Sequence, residues 1–281
     1  MQPSRRATGC GGHLVLSSVL FLLLVPSAHA FTPATPRQRR AAAPLHHHQR
    51  SPAPAMGWET TRPSVLLRLG AFGAGVGPFV DAVHNQALLQ YDVLPVEVQL
   101  VDARTSALVP PLLFLAYAIL GGVGPAIAEA LLPSRDDDDA PASAMAARGR
   151  ATTALLAVAS TIGIIKLSEL LVLASVPPAA ALALLLSLCA LQWRLLDGRA
   201  SSVALAALAA VGGPLAELPI MAAGAWHYVS PDYFPLAAFG VDPAVGWSGL
   251  ASITAPCYFA VTTDAIALGR WFSEGIEVGE G

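Results

Sequence analysis

Three ionisable side chains lie inside long apolar stretches of the sequence. Lys166 and Glu169 are three residues apart, one helical turn, so they can pair or share a polar pocket. Glu217 lies between two prolines in GGPLAELP, a pattern typical of a broken helix that lines a cavity. A charge at the bilayer centre costs about 2.5–3.5 kcal/mol on insertion scales. We therefore predict that Lys166, Glu169 and Glu217 form a ligand-binding pocket, with simple bridging between helices as the alternative.

Other ionisable residues, and the patterns that usually carry catalysis or metal binding, are less informative. Asp81, His84, Glu129 and Asp264 fall near the ends of apolar stretches, which predicts interfacial placement with access to water. The string GWSG at 246–249 lacks the GxSxG spacing of a nucleophile elbow. Four consecutive aspartates at 136–139 have no His or Cys nearby, as expected of a solvated loop. We predict no catalytic residue, no metal and no cofactor.

The composition predicts a membrane protein. Hydrophobic residues make up 54% of the 281 positions and charged residues only 12%, whereas a soluble chain carries about 25% charged residues. The net charge of −3 and the lack of a basic stripe with interleaved aromatics exclude nucleic acid as a predicted partner. The expected surroundings are a lipid bilayer.

Six apolar segments are long enough to cross that bilayer, and no internal repeat is visible. They are residues 64–88, 107–132, 152–173, 179–196, 201–226 and 246–268. In this arrangement one side carries Arg62, Arg68, Arg135, Arg148, Arg150, Arg194, Arg199 and Arg270, and the other carries Arg104. Such asymmetry follows the positive-inside rule. The loops at 89–106 and 227–245 then lie together on the opposite face, where we expect them to form a lid.

The segments before and after the predicted membrane domain, residues 59–272, differ from it in composition. Residues 1–30 have the arginines, short apolar core and AHA cleavage site of a signal peptide. Residues 31–58 contain four arginines and no acidic residue, which is typical of a transit peptide. Together they resemble the bipartite plastid presequence of algae, and predict a plastid membrane. An endoplasmic reticulum membrane is the alternative, and residues 273–281 form a short tail.

The order of the spans and several local strings resemble the insulin-induced gene (Insig) family of polytopic membrane proteins. The similarity covers roughly residues 64–271. The matching positions are Val109, Pro110, Pro111, Gly121 and Pro125, then Trp193, Asp197 and Arg199, then Gly224, Tyr228, Ser230, Pro231 and Asp232, and finally Pro256, Cys257, Phe259, Gly269 and Arg270.

This resemblance implies an all-α, six-span transmembrane bundle without enzymatic activity. It also implies binding of an apolar sterol- or isoprenoid-like molecule and regulation of a membrane protein partner, as Insig proteins do in the endoplasmic reticulum. By the same resemblance, Asp197 matches a position linked to partner binding. Two alternatives remain open from the residues themselves. One is a membrane-embedded isomerase that uses Glu169 or Glu217 as an acid or base, and the other is a small transporter with a proline-broken fifth span.

Overall fold

The computed structural model describes residues 59–84, 87–98, 103–132 and 150–277. All of them belong to one compact unit, Pro54–Gly281. The predicted signal peptide, transit peptide and aspartate run lie outside the described residues, and so does the end of the predicted tail.

Within the described residues the chain forms six long helices, as predicted. They are α1 (Pro63–His84), α2 (Val109–Leu131), α3 (Arg150–Leu173), α4 (Pro178–Leu196), α5 (Ala200–Ala222) and α6 (Thr254–Glu277). Helices α1 to α5 are long and apolar enough to cross a membrane. Two short 3-10 segments, Glu59–Thr61 and Ala237–Phe239, complete the helical structure.

Helix α6 is the centre of the bundle. It is less apolar than the other helices, yet Thr262, Thr263 and Asp264 are no more than 1% exposed. The reason is that α6 contacts all five other helices, so its polar side chains face protein instead of lipid. A helix in this position tolerates polar residues that a lipid-facing helix does not.

Helix α2 contains a π-helical turn, Ile119–Val123, where Gly124 donates its backbone N–H to Ile119. Pro125 follows and has no amide proton to donate, which frees a carbonyl one turn earlier. In the same turn, the carbonyl of Gly122 accepts a hydrogen bond from Thr60 Oγ1, at 2.9 Å. The turn is therefore stabilised by a side chain from outside α2.

The same turn packs directly on α6, backbone against backbone. A Cβ built on Gly121 would lie 2.3 Å from the Ala265 carbonyl oxygen, and one built on Gly269 would lie 2.0 Å from the Gly121 carbonyl oxygen. Only glycine fits at both positions, because a backbone atom cannot rotate away as a side chain can. Gly121 and Gly269 thus set the separation of α2 and α6.

Helix α5 is continuous, so the predicted break in the fifth span was wrong. Pro214 and Pro219 both lie inside the helix that extends from Ala200 to Ala222. Each proline removes one amide donor, but packing against α6 and the end of α2 stabilises the helical path. The helix approaches α6 so closely that a Cβ on Gly213 would lie 2.2 Å from the Tyr258 ring.

Two small antiparallel strand pairs cover the end of the bundle where α1 and α5 finish. Strand β1 (Leu89–Tyr91) pairs with β4 (Trp226–Tyr228), and β2 (Pro95–Val98) pairs with β3 (Ala103–Ser106). The pairing of β1 with β4 confirms that the first and fifth loops lie together. Their action as a lid remains a prediction.

Candidate ligand-binding site

A cavity of about 170 Å³ lies between α1, α2 and α6, beneath the β1–β4 pair. Because a buried water needs roughly 10–15 Å³ on the same scale, this space holds a larger molecule than one water. Its wall is mainly apolar and is formed by Gly77, Val80, Leu89, Val109, Leu112, Leu113, Ala116, Leu120, Ile165, Cys257 and Val261. The remaining lining residues carry most of the polar groups of the cavity.

Glu217 is the central polar group of the lining. Its carboxylate accepts hydrogen bonds from the Tyr258 hydroxyl at 2.7 Å, the Tyr228 hydroxyl at 2.8 Å and the Trp226 indole N–H at 3.3 Å. Glu217 is 7% exposed, so these hydrogen bonds replace the hydrogen bonds to water that a buried carboxylate loses. The sequence singled out Glu217, and the structure places it in the cavity lining with three side-chain donors.

Strand geometry explains how Trp226 and Tyr228 both reach Glu217. Alternate residues of a strand point to the same face, so Trp226 and Tyr228 turn inward while His227 between them points outward. Burial raises the pKa of the Tyr228 hydroxyl well above its ordinary value, and the nearby Glu217 charge raises this pKa further. Tyr228 therefore remains a protonated donor at neutral pH.

A second carboxylate, Asp81 in the last turn of α1, also lines the cavity. It accepts hydrogen bonds from the Tyr91 hydroxyl in β1 and from Thr105 Oγ1 in β3, the latter at 2.9 Å. The sequence predicted only an interfacial position for Asp81. Its role in the lining was missed because it depends on two loop strands that fold back onto the end of α1.

Thr254, the first residue of α6, contributes a further polar group. It lines the cavity and is 5% exposed. Its hydroxyl lies near that of Tyr228 but makes no hydrogen bond of normal geometry among the described residues. A buried hydroxyl without a partner is uncommon, because it gives up water without compensation. Nothing in the local sequence distinguishes Thr254 from the other threonines of α6.

Lys166 and Glu169 pair with each other and are not among the residues that line this cavity. The Glu169 side chain is 2% exposed and that of Lys166 is 30% exposed, so the lysine reaches outward from a buried carboxylate. The structure therefore separates this ion pair from Glu217.

Asp264 differs from the prediction of an interfacial, water-accessible group. It is 1% exposed and accepts a hydrogen bond from the Tyr117 hydroxyl in α2 at 2.9 Å. The interfacial prediction was wrong because α6 is surrounded by helices along its length, so position near a helix end did not bring exposure.

Asp197 lies in a separate cluster of charges at the opposite end of the bundle. It is 1% exposed and pairs with the guanidinium of Arg270. Arg270 also contacts Glu129 at 3.2 Å, and Arg199 contacts the same Glu129 oxygen at 3.2 Å. The cluster joins the ends of α2, α4 and α6 to the start of α5.

No group of three or more His, Cys, Asp or Glu side chains in the described part of the chain is arranged to hold a metal.

Solved structures of a mycobacterial Insig homologue, MvINS from Mycobacterium vanbaalenii, resemble this fold. One is 25% identical over 75% of this chain and 94% of that chain, with a TM-score of 0.51. A cross-linked trimeric cysteine variant of MvINS is also 25% identical, over 75% of this chain and 95% of that chain, with a TM-score of 0.52. No family model and no curated protein matches the sequence.

These structures agree with the helical architecture and with the resemblance seen in the local sequence strings. The six helices, five of them apolar enough to span a membrane, and the near-complete coverage of MvINS point to one conclusion. The chain is an Insig-like integral membrane protein.

Proposed function

We propose that this protein binds an apolar, sterol- or isoprenoid-like small molecule in the cavity and, without catalysing a reaction, regulates another membrane protein. The observation that carries the proposal is the cavity itself, with apolar walls and a few polar groups grouped around Glu217. Apolar walls supply affinity for such a molecule, and a few placed polar groups orient it. The Insig-like fold supports the same class of function.

The surroundings of Glu217 favour a receptor over the alternative of an embedded isomerase. A general acid or base has to exchange a proton with its substrate. Here three side-chain donors already hold the carboxylate, and Tyr228 stays protonated. Such a fixed arrangement is better suited to anchoring a ligand than to turnover. The transporter alternative loses its main support, because α5 is continuous through its prolines.

Asp197 enters the proposal as a residue that acts through its neighbours. Its carboxylate is buried and paired with Arg270, so it is poorly placed to touch a partner protein. We infer that it supports partner binding by holding the ends of α4 and α6 in position. Lys166 and Glu169 are left out of the proposed ligand contacts, since their ion pair accounts for both charges without a ligand.

Filling the cavity tests ligand binding. Ala116→Phe adds a ring to the wall, so it is expected to reduce copurifying apolar ligand at least about tenfold by occupying the space. Ala183→Phe, on an exposed position of α4, is the matched control and should retain the ligand. Lipid mass spectrometry on both purified variants and wild type measures the outcome. Equal ligand in all three would contradict binding in this cavity.

The enzyme alternative is tested on the same preparations. The copurifying ligand is returned to the wild-type protein and to Glu217→Gln, and any chemically altered product is sought. Gln preserves the size of the side chain and an acceptor oxygen but abolishes proton exchange. A product that wild type forms and Glu217→Gln does not form would replace the receptor by the isomerase.

The proposed location is a plastid membrane, supported by the composition of residues 1–58. Fused to a fluorescent protein in a plastid-bearing alga, this segment is expected to direct fluorescence to the plastid. A fusion of residues 1–30 alone is the control and should stay in the secretory route. Retention of the longer fusion in the endoplasmic reticulum would favour the alternative location.

A further inference from the structure

The face of α6 that lines the cavity continues beyond the cavity. The α6 residues of the lining recur every three or four positions, at Thr254, Cys257, Tyr258 and Val261. The next positions on this face are Asp264, Ala265 and Leu268, and none of them is among the described lining residues. The cavity therefore ends at a definite level along α6, just past Val261.

Tyr117 of α2 occupies the level at which the lining stops. It lines the cavity and also belongs to a buried apolar cluster with Val65, Leu69, Ala154, Ala265 and Leu268. Leu120 and Val261 line the cavity too and pack against the same cluster, so they share this boundary. Tyr117 has the largest side chain of the three, and its removal would connect the cavity with space inside the cluster.

The position of the Tyr117 ring is fixed by α1 and α6. A Cβ on Gly73 of α1 would lie 2.8 Å from Tyr117 Cδ2, so the missing side chain makes room for the ring. Phe72 packs beside it, with ring centroids 5.8 Å apart and an interplanar angle of 53°. On α6, Asp264 accepts a hydrogen bond from the Tyr117 hydroxyl at 2.9 Å. Movement of the ring away from this position would break that hydrogen bond.

Asp264 is a costly residue at this depth in the bundle. It is 1% exposed, and its Oδ1 has no hydrogen-bond partner among the described residues. An acid inside a membrane bundle is expensive, so its presence calls for a role. The hydrogen bond to Tyr117 supplies one, because it holds a ring that bounds the cavity.

We propose that Tyr117, positioned by Asp264, is the floor of the cavity and limits how far a ligand extends into the bundle. The proposal rests on the proposed function, since it names the residues that set the length selectivity of the same cavity. An apolar protein cavity of about 150 Å³ holds one benzene molecule, and this cavity has about 170 Å³. It therefore takes one end of a sterol- or isoprenoid-like molecule, and the floor decides how much of that end enters.

The test uses the full chain in nanodiscs of zwitterionic lipid, with empty nanodiscs as the baseline. Geraniol and geranylgeraniol, which share a head group and differ in chain length, are added as an equimolar mixture, and the retained prenols are quantified by mass spectrometry. Tyr117→Ala is expected to raise the ratio of bound geranylgeraniol to bound geraniol at least about tenfold. The reason is that the longer chain no longer overpacks the end of the cavity.

Substitutions of Asp264 test its role as a positioning residue. Asp264→Leu removes the acceptor and releases the ring, so the ratio should rise about fivefold, as expected from the loss of one hydrogen bond. Asp264→Asn keeps an acceptor oxygen for the Tyr117 hydroxyl, and its ratio should stay within about twofold of wild type. A ratio that responds to Tyr117→Ala but not to Asp264→Leu would remove Asp264 from the proposal.

A double variant covers the case in which Tyr117→Ala does not fold. Tyr117→Leu with Asp264→Leu removes both members of the hydrogen bond, so no buried polar atom is left unpaired, and it should also raise the ratio. Tyr233→Ala is the matched control, because Tyr233 is 53% exposed and lies outside the described lining. Its ratio should equal that of wild type.

The outcomes separate the floor from the receptor. An unchanged ratio in the Tyr117 variants, whether both prenols bind as in wild type or both are lost equally, would overturn the floor proposal and leave the proposed function. Retention of neither prenol by wild type above empty nanodiscs would overturn the proposed function together with the floor.

Discussion

Gly269→Ala is expected to destabilise the bundle by about 3 kcal/mol or more, at the upper end of the range for overpacked cores. The added methyl group would lie 2.0 Å from the Gly121 carbonyl oxygen, so α2 and α6 would have to separate. Gly121→Ala should act similarly, with its methyl group 2.3 Å from the Ala265 carbonyl oxygen. Thermal unfolding of the purified protein in detergent measures both effects as a fall in Tm.

Gly163→Ala is the matched control, since a Cβ at this helical position meets no described atom within 4 Å. Alanine is favoured over glycine in a helix interior by roughly 0.5–1 kcal/mol, so this variant should be as stable as wild type or slightly more stable. If all three substitutions shift Tm by similar small amounts, α2 and α6 are not in backbone contact.

The second large effect is expected from the charge cluster around Asp197. Arg270→Met should destabilise the protein by about 3–5 kcal/mol, because it leaves a buried carboxylate without its paired guanidinium. Asp197 is 1% exposed and depends on Arg270, whereas Glu129 keeps its contact with Arg199. Chemical or thermal unfolding in detergent gives the change in stability.

Arg104→Met supplies the comparison for Arg270→Met. Arg104 lies 3.9 Å from Glu97 and both side chains are 76% exposed, so this substitution should cost less than about 1 kcal/mol. An equally small effect of Arg270→Met would mean that water reaches Asp197. If Arg270→Met also abolishes binding of a membrane partner while the folded protein persists, Asp197 acts through the helix ends as proposed.

The fold was largely predictable from the sequence, because bilayer thickness imposes a length on each helix and apolar composition marks it directly. Five of the six predicted segments correspond to helices apolar enough to span, and the sixth corresponds to α6. The sequence also indicated that Glu217 is unusual, since a carboxylate inside an apolar stretch stands out without any structure. By contrast, Pro214 and Pro219 suggested a break that packing on α6 prevents.

The site depended on contacts between residues far apart in the chain. Asp81 lies among the lining residues because Tyr91 and Thr105, in two different strands, fold back to donate to it. Thr254 resembles every other threonine of α6 until its position beside the cavity is known. The sequence also could not show that Lys166 and Glu169, which pair with each other, lie away from Glu217. Hydropathy and helix length are properties of single segments, so the sequence determined the membrane bundle. The cavity arises from the packing of α1, α2 and α6 under the β1–β4 pair, so only the tertiary structure decided which polar groups share it.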